Sequence, residues 1–201
     1  MGSATSEPPA RHLAPSVDAS VKVLVVGAYG VGKTTLIDSV SEIPTLRTEE
    51  RVTTASVGVD PQVGDKATTT VAMDFGRVTL SSATALYLFG TPGQRRFWEL
   101  WSGLAEGAVG VLVLVDTRRL EESFEVFDQL EENTRLPVAV VVNRFPDAPR
   151  HPEADVRAAL DLPDDTPVVS GDVRERDQAA AALVTLVEHA LRLRTAGRVA
   201  A

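Results

Sequence analysis

The 201-residue chain contains no cysteine. Disulfides, thiolate metal sites and C-terminal prenylation are thereby excluded. Long apolar runs are missing too: the longest, around Ala108 to Val115, falls far short of the roughly 20 residues a helix needs to cross a bilayer. Positive charge is in deficit. With 20 Lys and Arg against 28 Asp and Glu, the net charge of −8 argues against nucleic-acid binding as the main activity. No internal repeat is visible. Residues 1–20, rich in Ala, Ser and Pro, show no hydrophobic period and read as a disordered tail. The expectation is a soluble, cytoplasmic protein with one domain over residues 21–195 and a short tail at 196–201.

What the chain does have is a phosphate-loop pattern. Gly27-Ala28-Tyr29-Gly30-Val31-Gly32-Lys33-Thr34 fits G-x-x-x-x-G-K-[ST] at every fixed position. The β-rich run Val21 to Val26 precedes it, and the helix-compatible run Thr34 to Val40 follows. That strand–loop–helix context separates the motif from an ordinary glycine-rich turn. The glycines allow the backbone to curl with its N–H groups inward, and the helix N-terminus adds partial positive charge. In such a loop Lys33 reaches the β- and γ-phosphates and the Thr34 hydroxyl coordinates Mg²⁺. Tyr29, Val31 and Thr35 join Gly27, Gly30 and Gly32 as candidate nucleotide contacts.

Beyond the loop, apolar and polar periods alternate. Thr70 to Phe75 and Arg77 to Leu80 read as strand, with Gly76 as a bend, and Ala83 to Phe89 reads as another strand. Arg95 to Leu104 has helical spacing through Phe97, Leu100, Trp101 and Leu104. Val109 to Val115 and Val138 to Val142 have the composition of buried parallel strands. Helices are expected near 120–134, 153–160 and 174–193, with a short strand at Val168-Val169. Between Ser41 and Thr69 the chain is polar and threonine-rich with no period, which predicts a long functional loop. The sum is an α/β fold, a mostly parallel open sheet flanked by helices.

The order of motifs carries a family resemblance. A phosphate loop is followed by a Thr-bearing polar loop, by Gly90-Thr91-Pro92-Gly93-Gln94 after a strand, by Asn143-Arg144, and by Ser170-Gly171-Asp172. This resembles a Ras-like small GTPase, a three-layer P-loop NTPase fold. The runs Thr70 to Gly76 and Leu88 to Gln94 are most similar to the bacterial MglA-type branch, especially actinobacterial conservon GTPases encoded beside roadblock-domain proteins. The resemblance implies GTP/GDP and Mg²⁺ as ligands, and Thr70 as the switch threonine that meets Mg²⁺ and the γ-phosphate, with Thr68 and Thr69 as rivals. It implies Gly93 as the γ-phosphate-sensing glycine and Gln94 as the residue that orients the attacking water. Asn143, Arg144, Asp147, Ser170 and Gly171 would surround the base. A roadblock-domain protein and a sensor-kinase-like complex are the implied partners.

Three departures qualify the resemblance. Gly90 stands where small GTPases have the Asp that holds a Mg²⁺-bound water, and Asp116, one strand too late to replace it, reads as a loop cap. Pro146 occupies the place of the guanine-reading Asp of N-K-x-D, leaving Asp147 one residue late. Thr69 stands where MglA-type proteins carry an arginine, with Arg95 and Arg96 beside Gln94 as substitutes. The first reading is therefore a regulatory GTPase with slow hydrolysis, in which Trp98, off the apolar stripe, either meets a partner or packs on a neighbouring helix. A hydrolysis-deficient nucleotide-dependent scaffold and an ATP-binding P-loop protein with relaxed base choice remain open beside it.

Overall fold

The computed structural model describes residues 18–53, 68–92 and 100–198. Gln94, Gly93 and Trp98 lie outside the described residues, as do Arg95, Arg96 and the tail at 1–17. The first strand, β1 (Ala19–Val26), starts two residues earlier than the periodicity predicts. Its alternation explains its central place. Val23 and Val25 face one side of the sheet and Leu24 and Val26 the other, and all four are buried. A strand apolar on both faces must be covered by helices on both.

The sheet has seven strands in the order β2-β3-β4-β1-β5-β6-β7. These are β2 (Leu46–Thr53), β3 (Thr68–Thr79), β4 (Thr84–Gly90), β5 (Ala108–Val115), β6 (Val138–Asn143) and β7 (Val168–Gly171). From β4 through β1 to β7 every pairing is parallel, whereas β2 and β3 run antiparallel to their neighbours. The helices are α1 (Lys33–Val40), α2 (Leu100–Ala105), α3 (Glu122–Asn133), α4 (Glu153–Ala159) and α5 (Arg176–Thr195). On one face Leu36, Ile37 and Val40 of α1 and Ala182, Leu183 and Leu186 of α5 cover Val23, Val25, Leu88 and Leu112. On the other, Val126 and Leu130 of α3 and Val156 of α4 cover Leu24, Val26, Val113 and Val140. The result is a three-layer α/β P-loop NTPase fold of small-GTPase type.

Two sequence expectations are corrected. The region 41–69 is not a loop throughout, because Leu46 to Thr53 form edge strand β2, which pairs residue by residue from Leu46 with Phe75 to Thr53 with Thr68. Lone edge strands lack the apolar alternation that a buried face imposes, and Arg47-Thr48-Glu49-Glu50-Arg51 has none. Gly76 makes no bend either, since β3 runs through it. A Cβ there would lie 2.6 Å from Ile37 Cγ2 and 3.2 Å from Ser41 Cβ, so the glycine serves the close approach of α1 to the sheet. No helix among the described residues is long and apolar enough to cross a membrane.

Candidate functional site

β1 is the point where strand order reverses: the chain places β2 to β4 on one side of it and β5 to β7 on the other. In open α/β sheets, ligands bind outside the carboxyl ends of strands at such a switch point. Residues 27–32 leave β1 there and enter α1 through Gly32, whose φ of 109° is costly for any residue with a Cβ. Such a Cβ would also lie 2.6 Å from Asn143 Nδ2. Tyr29 at the loop tip is 70% exposed. Val31 is buried, and Thr35 stands exposed on the first turn of α1.

Lys33 is buried, with its ammonium turned onto the loop itself. Nζ donates to the carbonyl oxygens of Gly27 at 2.7 Å and Ala28 at 2.8 Å. Burial lowers its pKa from 10.5 to about 8, against the opposing pull of the Asp74 carboxylate. Next to it, Thr34 Oγ1 donates to Asp74 Oδ2 at 2.5 Å. The motif pattern overlooked Asp74. It sits on β3 directly opposite Gly90 on β4, and a Cβ at Gly90 would lie 3.0 Å from Asp74 Cβ and 2.9 Å from Ile37 Cδ1. Asp74 thus stands across the sheet from Gly90, and the absence of a side chain at Gly90 leaves the space it needs. The signal was in the sequence as an Asp inside a strand, a position where acids are depleted. Thr91 follows, its hydroxyl buried and without a partner among the described residues.

Thr34 and Asp74 form an oxygen-only pair, which suits a hard cation such as Mg²⁺ that takes one or two protein oxygens and fills its other positions with water and phosphate. Thr68 to Thr70 lie further along β3. β3 runs past the end of β4 at Asp74, so the Thr70 backbone lies about 13 Å further along the strand (four residues of 3.3 Å).

Asn143 closes the other side. Its Nδ2 donates to Val31 O at 2.9 Å and its Oδ1 accepts from Val173 N at 3.3 Å, tying the phosphate loop to both loops that follow β6 and β7. Arg144 is exposed and donates its backbone N–H to Gly171 O at 2.9 Å. Half-buried Ser170 lines a cleft of about 50 Å³ with Asn143, Arg144 and Phe145. A larger cavity, about 420 Å³, lies at the opposite end of the sheet between α3, α5 and the segment after α4, and includes no phosphate-loop residue.

Asp116 behaves as a loop cap. It is buried at the end of β5 and accepts from the backbone N–H of Arg118 at 3.0 Å and from its guanidinium at 2.7–3.2 Å. Burial pushes its pKa up, and Arg118 with Arg119 more than offsets this, leaving the carboxyl below the usual range. Arg118 also donates to Asp147 at 3.0 Å and stacks 3.8 Å from the Phe145 ring. Asp147 is therefore engaged rather than free. Arg119 Nη2 donates to Tyr29 O at 3.2 Å, bracing the tip of the phosphate loop.

A family described as conserved hypothetical ATP binding protein matches residues 25–193 of the chain. The chain belongs to this family. Over 125 residues, 62% of its length, it is 30% identical to the Uncharacterized protein MJ1339 of Methanocaldococcus jannaschii, of which the match covers 70%. Among solved structures it resembles the Arl6 BBS3 small GTPase of Trypanosoma brucei bound to GppNp, with a TM-score of 0.57 and 19% identity over 86% of this chain and 98% of that one. The G domain of the T. maritima FeoB iron transporter gives a TM-score of 0.56 and 18% identity over 85% and 99%. At these identities the likeness speaks for the fold: this member of the ATP-binding family is built as a G domain.

Proposed function

We propose that the chain is a nucleotide-dependent switch that binds a purine nucleoside triphosphate with Mg²⁺ and hydrolyses it slowly, with GTP as the first candidate. The observation that carries this reading is the meeting of Lys33, Thr34 and Asp74 at the end of β1, where Asp74 on β3 would take the place of the acid absent at Gly90. Thr34 and Asp74 would hold Mg²⁺, whose charge offsets that of the β- and γ-phosphoryl oxygens when bound. Lys33 would exchange two loop carbonyls for phosphate oxygens, a stronger charge-assisted contact. Gln94 is the candidate for orienting water. Without an arginine before Thr70, hydrolysis by the chain alone is expected to be slow, since such a cation is worth about 10³–10⁵ in rate.

The resemblance to MglA-type conservon proteins extends this reading to a signalling complex with a roadblock-domain partner and a sensor-kinase-like component, in the cytoplasm. Trp98→Ala would then weaken capture of a roadblock-domain protein while leaving the fold intact. A second reading, an ATP-binding protein with relaxed base choice, is favoured by the family's description and by the engagement of Asp147 with Arg118. Titration calorimetry of Mg·GTP, Mg·GDP and Mg·ATP on the nucleotide-free protein separates them. Guanine preference supports the GTPase, equal ATP binding supports the relaxed site, and no binding leaves a scaffold that retains only the fold. Single-turnover hydrolysis lost in Gln94→Leu is the companion test of turnover.

A further inference from the structure

We infer that Arg118 sets the base choice of this site by competing with the purine for the Asp147 carboxylate. The inference rests on the second reading above, the site with relaxed base choice, and deepens it. Arg118 is held from below by a buried acid: Nε lies 3.0 Å from Asp116 Oδ1 and Nη2 lies 2.7 Å from Asp116 Oδ2. This two-pronged contact, with the Phe145 ring 3.8 Å from the guanidinium carbon, fixes the plane of the group. The remaining nitrogen, Nη1, lies 3.0 Å from Asp147 Oδ1 and 3.3 Å from Oδ2. A nitrogen near both oxygens occupies the open edge of the carboxylate.

A guanine ring needs that same edge. Its N1–H and 2-amino group are adjacent donors, and a free carboxylate accepts both at once. Adenine presents an acceptor at N1 beside its 6-amino donor and gains no such pairing. An Asp147 held by Arg118 removes the advantage of guanine and leaves adenine unaffected. Discrimination by paired hydrogen bonds reaches about 10⁴–10⁵ in a buried site; Asp147 is exposed, so a shift of about tenfold is the scale at stake here. Asp147 is well exposed, which leaves it accessible to a ring edge once Arg118 is removed.

The test is the ratio of dissociation constants for Mg·ADP and Mg·GDP in four proteins, measured by displacement of a fluorescent nucleotide. Removing Arg118 alone would leave the buried Asp116 carboxylate with only Arg119, 3.7 Å away, so Arg118→Ala is combined with Asp116→Asn. The native chain is expected to prefer neither base by more than about tenfold, and Asp147→Ala is expected to change its ratio by less than about threefold. The double variant is expected to move the ratio toward guanine by at least about tenfold, and Asp147→Ala added to it is expected to cancel that gain. An unchanged ratio in the double variant overturns the inference. So does a guanine preference of about 100-fold or more in the native chain that Asp147→Ala abolishes, and this arm decides should the double variant not fold. Failure of every nucleotide to bind the native chain overturns the nucleotide-binding reading itself, and this inference with it.

Discussion

At the residue scale, the chemistry of the site is concentrated in Lys33 and Asp74. Burial lowers the pKa of Lys33 from its ordinary 10.5 to about 8. Phosphate oxygens favour the charged form and return its pKa upward. Binding therefore takes up as much as one proton between pH 8 and 10.5, and affinity falls by as much as about tenfold per pH unit across that window. Folding stability runs the other way. The unfolded chain binds more protons in the same window, so stability rises with pH. Calorimetry at pH 8.5 in two buffers of different ionisation enthalpy is expected to show the uptake, and Lys33→Met is expected to remove it. Asp74 raises the Lys33 pKa, so Asp74→Ala should move the onset below pH 8. The same variant should weaken nucleotide binding about 10–100-fold in Mg²⁺ and change it little in EDTA. A loss of equal size in EDTA would mean that Asp74 serves only to orient Thr34. Exchanging the two residues, Asp74→Gly with Gly90→Asp, in an Ile37→Val background that removes the Cδ1 atom 2.9 Å from the new Cβ, is expected to recover Mg²⁺ dependence if the acid is interchangeable between adjacent strands.

At the element scale, α1 is set against the sheet by two glycines, Gly76 and Gly90, which both face Ile37. Ile37 is fully buried, so it cannot swing away from an added methyl. Gly76→Ala should cost about 1–3 kcal/mol, read as a lower urea midpoint with an unchanged slope. Ile37→Leu, which lacks the Cγ2 atom 2.6 Å from that site, should restore part of the loss in the double variant. Legibility divides along the same line. Elements buried on both faces, β1, β5 and β6, announced themselves by composition, and the phosphate loop by its glycines. β2 was hidden because an edge strand answers to only one neighbour, and Arg47 to Arg51 carry no apolar period. Asp74 was hidden for a different reason. The role proposed for it depends on lying opposite Gly90 across β3 and β4, a register that no linear motif records. Arg118 was missed likewise, since its two acids are brought together only by β5 and β6 ending side by side.

At the scale of the whole molecule, the carboxyl ends of β1, β6 and β7 are joined through one buried side chain. Asn143 links Val31 of the phosphate loop to Val173 beyond β7. Asn143→Ala would leave a buried carbonyl and a buried N–H without partners, at about 1–3 kcal/mol for each group. Stability alone does not reveal whether this link is functional, because any buried hydrogen bond would behave so. Nucleotide supplies the distinction. A ligand that engages only the folded state at 100 times its Kd adds about 2.7 kcal/mol. For a domain of this size that is a rise of roughly 5–11 °C in melting temperature. If Asn143 transmits order between the phosphate loop and the base loops, Asn143→Ala lowers the melting temperature of the empty protein and also shrinks the rise produced by Mg·nucleotide at fixed concentration. If it merely holds the core, both melting temperatures fall together and their difference stays the same. The first outcome is expected, because the Asn143 amide meets the loop at the residue just before Gly32, where the phosphate-facing backbone turns into α1.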